Sequence, residues 1–231
     1  MKYLSDKVAL LTFNVIAAQK GYQFKKVNTQ KEIDDACQVY NEEAFSFPDE
    51  LKDKVSSYKK SAINFVAYYK DEPVGMVRLG DPKIINRPFE LYGVDVTGEH
   101  YEIQSLVVKK EFREGTQFVM LGLFKAMYVY SRQQGIISWS SCGARNVYLT
   151  IRRFCKNISV EEVDFGEINH PLTQYLFVNN IIETYFTMEV SAFEPWQILK
   201  KFIRQVVKKW ELPQIISIKR LAYESFSYGS K

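Results

Sequence analysis

Residues 101 to 140 constrain this chain more than any other stretch. Tyr101 to Val108 (YEIQSLVV) is rich in β-formers, and Lys109 to Glu114 (KKEFRE) is a charged turn. Gly115 to Gln134 carries a long helical pattern, Gly135 stops it, and Ile136 to Ser140 (IISWS) is β-rich again. A strand, helix and strand in this order form a right-handed crossover between two parallel strands. Such strands need cover on both faces, so the remaining segments must supply helices and further strands around them. The expected fold class is therefore α/β, an α+β mixed sheet.

The flanking segments fit that expectation. Leu4, Val8, Leu11 and Val15 recur at steps of four, three and four, which predicts an amphipathic N-terminal docking helix ended by Gly21. Tyr22 to Val27 reads as a short strand. Thr29 followed by Glu32 has capping-box spacing and opens a helix to about Phe45. Pro48 opens a short charged turn. Ile63 to Tyr69 and Val74 to Leu79, joined by Lys70-Asp71-Glu72-Pro73, read as a hairpin. A strand is expected at Phe89 to Tyr92 inside a long loop, and a helix over Ala144 to Lys156. Strands are expected at Val160 to Gly166 and Ile181 to Val190. Trp196, Leu199, Ile203, Val206 and Trp210 alternate steps of three and four, a packing seam on a last helix that Pro213 ends.

Composition excludes several classes. With 231 residues, 46% hydrophobic and 25% charged, the chain is globular and neither disordered nor low in complexity. A net charge of +4 is too small to mark a nucleic-acid protein. Cys37, Cys142 and Cys155 have no metal spacing and read as reduced thiols, which suggests a cytoplasmic protein. His100 and His170 are the only histidines, so no metal site is expected. No stretch reaches the roughly 20 apolar residues of a spanning helix, although the N-terminal helix leaves peripheral membrane contact open. Aromatic residues make up 15% of the chain, enough for a large core and for an apolar pocket along Tyr175 to Phe193.

The order of elements over roughly residues 22 to 190 resembles the Gcn5-related N-acetyltransferase superfamily. In that fold the central strand splays from its parallel neighbour, and the pantetheine arm of an acyl thioester enters the gap. The helix N-terminus after the central strand is a natural anion site. The usual coenzyme A pyrophosphate signature, Gln/Arg-x-x-Gly-x-Gly/Ala, is here Arg113-Glu114-Gly115-Thr116-Gln117-Phe118. A narrower similarity accommodates the difference. Glu102-Ile-Gln-Ser-Leu-Val-Val, then Glu111-Phe-Arg113, then Leu-Phe-Lys-Ala-Met-Tyr at 123 to 128, resembles the long-chain N-acyl amino acid synthases and the acyl-homoserine-lactone synthases. These families take acyl groups from acyl carrier protein, which presents no adenosine pyrophosphate. The strand arginine of those families is replaced by Ser105.

The resemblance implies site residues. Glu102 is the expected base for the acceptor amine; a surface ion pair is the bland alternative. His100 shares its strand face, as an assistant or a bystander. Leu106, Val107 and Val108 would bind pantetheine and polarise the thioester through their backbone. Arg113, Gly115 and Thr116 would meet its phosphate. Lys109, Lys110, Arg145, Arg152 and Lys156 form the expected docking face for an acidic carrier protein, unless they are simply solvated. Gly122 and Ala126 would let the helix pack closely on the sheet. Cys142 reads as a buried small residue rather than a nucleophile.

The implied function is an N-acyltransferase. It would form an amide between a thioester acyl group, preferably long-chain acyl on acyl carrier protein, and the amine of an amino acid or small amine. No cofactor is bound permanently; acyl-phosphopantetheine, on carrier protein or coenzyme A, is the cosubstrate. Partners would be acyl carrier protein and the small amine, with no nucleic acid and no transmembrane segment. An acetyl-coenzyme A acetyltransferase, a homoserine-lactone synthase and an inactive binding module stay open. The expected organisation is a docking helix at 1–20, the acyltransferase domain at 21–190, and a C-terminal helix and tail at 191–231 packed on the same domain.

Overall fold

The computed structural model describes residues 2–43, 48–51, 62–84, 87–94, 100–113, 118–153 and 155–207. Helix α1 (Lys2–Gln19) leads into β1 (Tyr22–Lys26), α2 (Gln30–Glu43), and the hairpin β2 (Ala62–Tyr69) and β3 (Glu72–Gly80). Then come α3 (Arg87–Tyr92), β4 (His100–Val108), a 3-10 turn (Lys110–Phe112), α4 (Phe118–Gln134) and β5 (Ser138–Gly143). The chain continues through α5 (Arg145–Ile151), β6 (Ile158–Glu161), α6 (Pro171–Val178), β7 (Thr184–Glu189) and α7 (Pro195–Val207). One seven-stranded sheet runs β1-β2-β3-β4-β5-β7-β6. It is antiparallel except between β4 and β5, the parallel pair that the crossover pattern predicts.

Local chemistry explains most boundaries. The capping box closes in both directions: Thr29 Oγ1 accepts the Glu32 amide (3.3 Å), and Glu32 Oε2 accepts the Thr29 amide (3.1 Å). Lys25 and the Asn28 amide also hold that carboxylate, pulling its pKa to about 2. The β2–β3 turn places Lys70 and Asp71 at φ +49 and +67, the primed geometry that two-residue hairpins require. At the end of α4, Gly135 takes φ +70 and the Ile136 amide reaches back to the Ser131 carbonyl, which stops the helix.

The rear face of the sheet is covered by α1, α4, α5 and α7. Phe65, Val77, Leu79, Ile103, Trp139 and Phe186 meet Phe13, Leu123, Phe124 and Leu199 there. Trp139 also donates to Ser131 Oγ of α4 (2.9 Å). Gly122 has the role expected of it: a Cβ at this position would collide with the Phe24 ring of β1. Gly122→Ala should therefore destabilise by about 1–3 kcal/mol, even though alanine is the better helix former by about 1 kcal/mol. Thermal melts against wild type check this. The front face carries α2, α3 and α6. Ala36, Val39 and Tyr40 of α2 pack on Met76 and Val107, while Leu91 and Tyr92 of α3 and Leu172 and Leu176 of α6 pack with Tyr185.

Several expected boundaries differ. Residues 89–92 are helical, not a strand, because Pro88, Leu91 and Tyr92 are buried at helical spacing. Pro171–Val178, a segment for which no element is expected, is a helix. The strand expected at Ile136 begins at Ser138, since Ile136 closes the α4 terminus. The strand expected over Val160 to Gly166 is Ile158–Glu161. The helix expected to reach Lys156 ends at Ile151; the chain turns through Asn157 at φ +55 to enter β6. Helix α1 docks through Ala9, Phe13, Ile16 and Ala17, so the stripe expected to dock points outward, with Leu11 64% and Val15 53% exposed. Helix α7 buries Ile198 and Leu199 and leaves Trp196 38% exposed. Trp210 and Pro213 lie outside the described residues.

Candidate active site

Strands β4 and β5 pair only where His100–Glu102 meet Ser138–Ser140, although β4 runs on to Val108 and β5 to Gly143. The cause is a bulge. Ser105 adopts φ +46, and the register of β4 against β3 slips between Met76 and Arg78. A bulge bends and twists its strand, while β5 stays paired to β7 along its whole length. Ser141 Oγ donates to the Ile103 carbonyl (3.3 Å), a side-chain link just past the last ladder pair. Beyond it the Gln104–Val108 edge of β4 is paired to no strand on that side among the described residues. Leu106, Val107 and Val108 all lie along this edge. Val107 is buried on the front face, and Leu106 and Val108 pack half-buried on the rear.

Glu102 is the last residue of β4 paired to β5, at the apex of the splay. It is 3% exposed on the front face, so the surface ion pair is set aside. Gln104 Nε2 donates to its Oε2 (2.8 Å), and Arg87 Nη1 stands 3.4 Å from its Oε1. Burial pushes the carboxyl pKa up; Arg87 and Gln104 pull part of that back. Opposite Glu102, Ser140 of β5 points to the same face, as does Tyr185 of β7. Both side chains are fully buried, and their hydroxyls face each other without closing a hydrogen bond, so neither has a partner among the described residues. Burial also raises the Cys142 thiol and the Tyr92 and Tyr185 phenols, so all three keep their protons at neutral pH. Cys142 is thus no thiolate nucleophile.

The sheet brings two arginines to this face that the sequence reading missed. Arg87 comes from α3. Arg78 lies on β3 directly across from Gln104 and is 3% exposed. Its Nε donates to Asn64 Oδ1 (3.2 Å), and its guanidinium lies 4.4 Å over the Tyr40 ring. Among the described residues no carboxylate pairs with Arg78, and burial lowers its pKa. A charged residue inside the apolar run VGMVRL was the available signal, because a buried cation needs a reason to be there. His100 shares the Glu102 face and meets Ser138 Oγ through Nδ1 (2.9 Å), over an open cleft of about 620 Å³ bordered by Arg132 and Glu189.

The other expected residues separate. Arg113 closes the turn after β4: Nε donates to the Val108 carbonyl and Nη2 to Glu43 of α2, both at 2.6 Å. Gly115 and Thr116 lie outside the described residues. Lys109 is no docking cation, since it is buried between Glu42 (3.2 Å) and Glu72 (3.0 Å). Lys110 is exposed at the turn. Arg145, Arg152 and Lys156 do not share a helix face, because α5 ends before the last two; Lys156 pairs with Glu194 (2.6 Å). The aromatics of residues 175–193 divide between the two faces: Tyr185 packs on Tyr92, and Phe193 on Tyr128 and Trp139. No group of three His, Cys, Asp or Glu side chains among the described residues is placed to hold a metal. No described helix is long and apolar enough to cross a membrane.

No protein-family model matches this chain, and no curated protein matches it in sequence. Solved structures do match. FeeM, an N-acyl amino acid synthase from uncultured soil microbes, superposes with a TM-score of 0.53 at 11% identity, covering 74% of this chain and 90% of that one. The AHL synthase LasI gives 0.48 at 16% identity, over 73% and 89%. The ribosomal-protein-S18-alanine N-acetyltransferase from Escherichia coli gives 0.47 at 8% identity, over 73% and 94%. The first of these carries the assignment. The mixed sheet with its splayed parallel pair matches the fold of that N-acyl amino acid synthase, and at 11% identity the likeness speaks for the fold alone.

Proposed function

We propose that this chain, built on the N-acyltransferase fold, transfers an acyl group from a phosphopantetheine thioester to the amine of an amino acid. The preferred donor is long-chain acyl on acyl carrier protein. The observation that carries the reading is a buried carboxylate, Glu102, at the point where β4 and β5 part. A thioester laid along the open edge of β4 would hydrogen-bond its backbone and present its carbonyl carbon beside that carboxylate. Glu102 takes a proton from the acceptor ammonium. The free amine attacks the carbonyl carbon, and the tetrahedral oxyanion collapses to an amide as the C–S bond breaks. The nitrogen sheds its second proton as the C–S bond breaks, and that proton is relayed through water or the Tyr185 hydroxyl to the departing thiolate. Arg78 supplies a buried positive charge that suits an acceptor carboxylate.

Purified protein with a long-chain acyl-carrier protein, or the matching acyl-coenzyme A, and a panel of amino acids tests this by mass spectrometry. An N-acyl amino acid formed faster from the carrier-bound donor is expected. No amide with any thioester would overturn the reading, and a faster reaction with acetyl-coenzyme A would replace the donor. The pH profile offers a second check. Burial disfavours ionised Glu102, so the acidic limb of kcat/KM should lie above the ordinary glutamate range. Arg87 favours the ionised form, so Arg87→Gln should move that limb further up; an unmoved limb would exclude Glu102 as the titrating base.

A further inference from the structure

The outer surface of the rear layer presents a second feature, independent of the acyltransferase reading. Helix α4 is buried on nearly every side from Phe118 to Tyr128: the sheet lies under it, α7 packs over it, α1 touches it through Phe13 and Asn14, and α1 and α7 pack against each other. These two helices therefore form the exterior. Helix α1 is apolar on both sides: its inner face is Ala9, Phe13, Ile16 and Ala17, and its outer face carries Val8, Leu11, Val15 and Ala18. On α7 the outward positions are Trp196, Lys200 and Arg204, all exposed, with Lys201 half-buried beside the Arg153 charge. Lys7 on α1 and Arg153 after α5 are exposed as well. Among the described side chains of α1 and α7 the charged ones are Asp6, Lys7, Lys200, Lys201 and Arg204. One acid stands among four cations.

We propose that this face docks on an anionic lipid bilayer. An aliphatic stripe, a tryptophan and flanking cations are the combination that lies at the boundary between headgroups and acyl chains. A second copy of the chain fits poorly, since a twofold contact would bring the same cations against each other. The aliphatic stripe gains from acyl chains, while Lys200 and Arg204 gain from anionic headgroups.

Co-sedimentation of the full chain with vesicles tests this. One set is pure phosphatidylcholine; the other is an equal mixture of phosphatidylcholine and phosphatidylglycerol. Wild type should partition at least tenfold more strongly onto the anionic set. Lys200→Gln with Arg204→Gln should weaken that binding about 30-fold, as two headgroup attractions are lost. Leu11→Gln with Val15→Gln should weaken it by at least tenfold. All four positions are on the surface, and unchanged melting temperatures would show that the fold is retained. Equal binding to both vesicle sets, or no binding by wild type, overturns the proposal. A concentration-dependent dimer lost in Leu11→Gln/Val15→Gln would assign the face to a second copy, and loss of acyl carrier protein binding in Lys200→Gln/Arg204→Gln would assign it to an acidic protein.

Discussion

Replacing Glu102 with Gln should lower kcat by about 10² to 10⁴, the usual loss when a positioned base is removed. The amide keeps the size of the carboxylate and can still accept from Gln104 Nε2, so donor binding and the sheet should survive. What disappears is the negative charge that receives the ammonium proton. The acidic limb of the pH profile should vanish with it, and the residual rate should rise only as the free amine forms in solution. Turnover and pH profile measured on a variant with wild-type melting behaviour decide the matter. An unchanged rate would remove Glu102 from the reaction and leave the splay without its base.

Arg78→Met should raise KM for an amino acid about 100-fold or more, while leaving the KM of its amide derivative within a few-fold. A buried guanidinium paired with a carboxylate is worth several kcal/mol when one partner is removed. The amide derivative lacks the anion, so wild type should already handle it poorly, and the variant should narrow the gap between the two acceptors. Equal loss with both acceptors would instead assign Arg78 to holding Tyr40 and Asn64 in place. Methionine fills most of the same volume, so the packing against Tyr40 is largely kept.

The parts of this protein legible in its sequence are those with local causes. The β4–α4–β5 unit announces itself because a strand period, a helix period and a stop at Gly135 follow one another. The Thr29–Glu32 box is legible for the same reason. The Glu102 position was legible through its strand context, but its surroundings were not. Arg87 reaches it from a six-residue helix, and Arg78 lies across from Gln104 on β3; the fold rather than spacing brings both to this face. In that short helix Phe89-Glu90-Leu91-Tyr92 has the look of a strand, because it carries β-formers and too few residues to show a helical period. Helix α1 shows a different limit. Both its faces are apolar, and periodicity finds a stripe without saying which one the body covers; Phe13, the one aromatic of that helix among its docking residues, marks the inner side.

The brief pairing between β4 and β5 also bears on how the chain assembles. Strands β1 to β4 join only sequence neighbours, through antiparallel ladders with α2 and α4 packed on them. Strands β5, β7 and β6 form a second ladder of their own. Three ladder pairs and the Ser141–Ile103 hydrogen bond stitch the two strand sets, and the rear core runs under both. Little loop entropy opposes the short-range pairings within each strand set, so those ladders should form before the β4–β5 join. The seam along which the halves would last be joined, and along which they would first part under force, is the line occupied by Glu102 and Ser140.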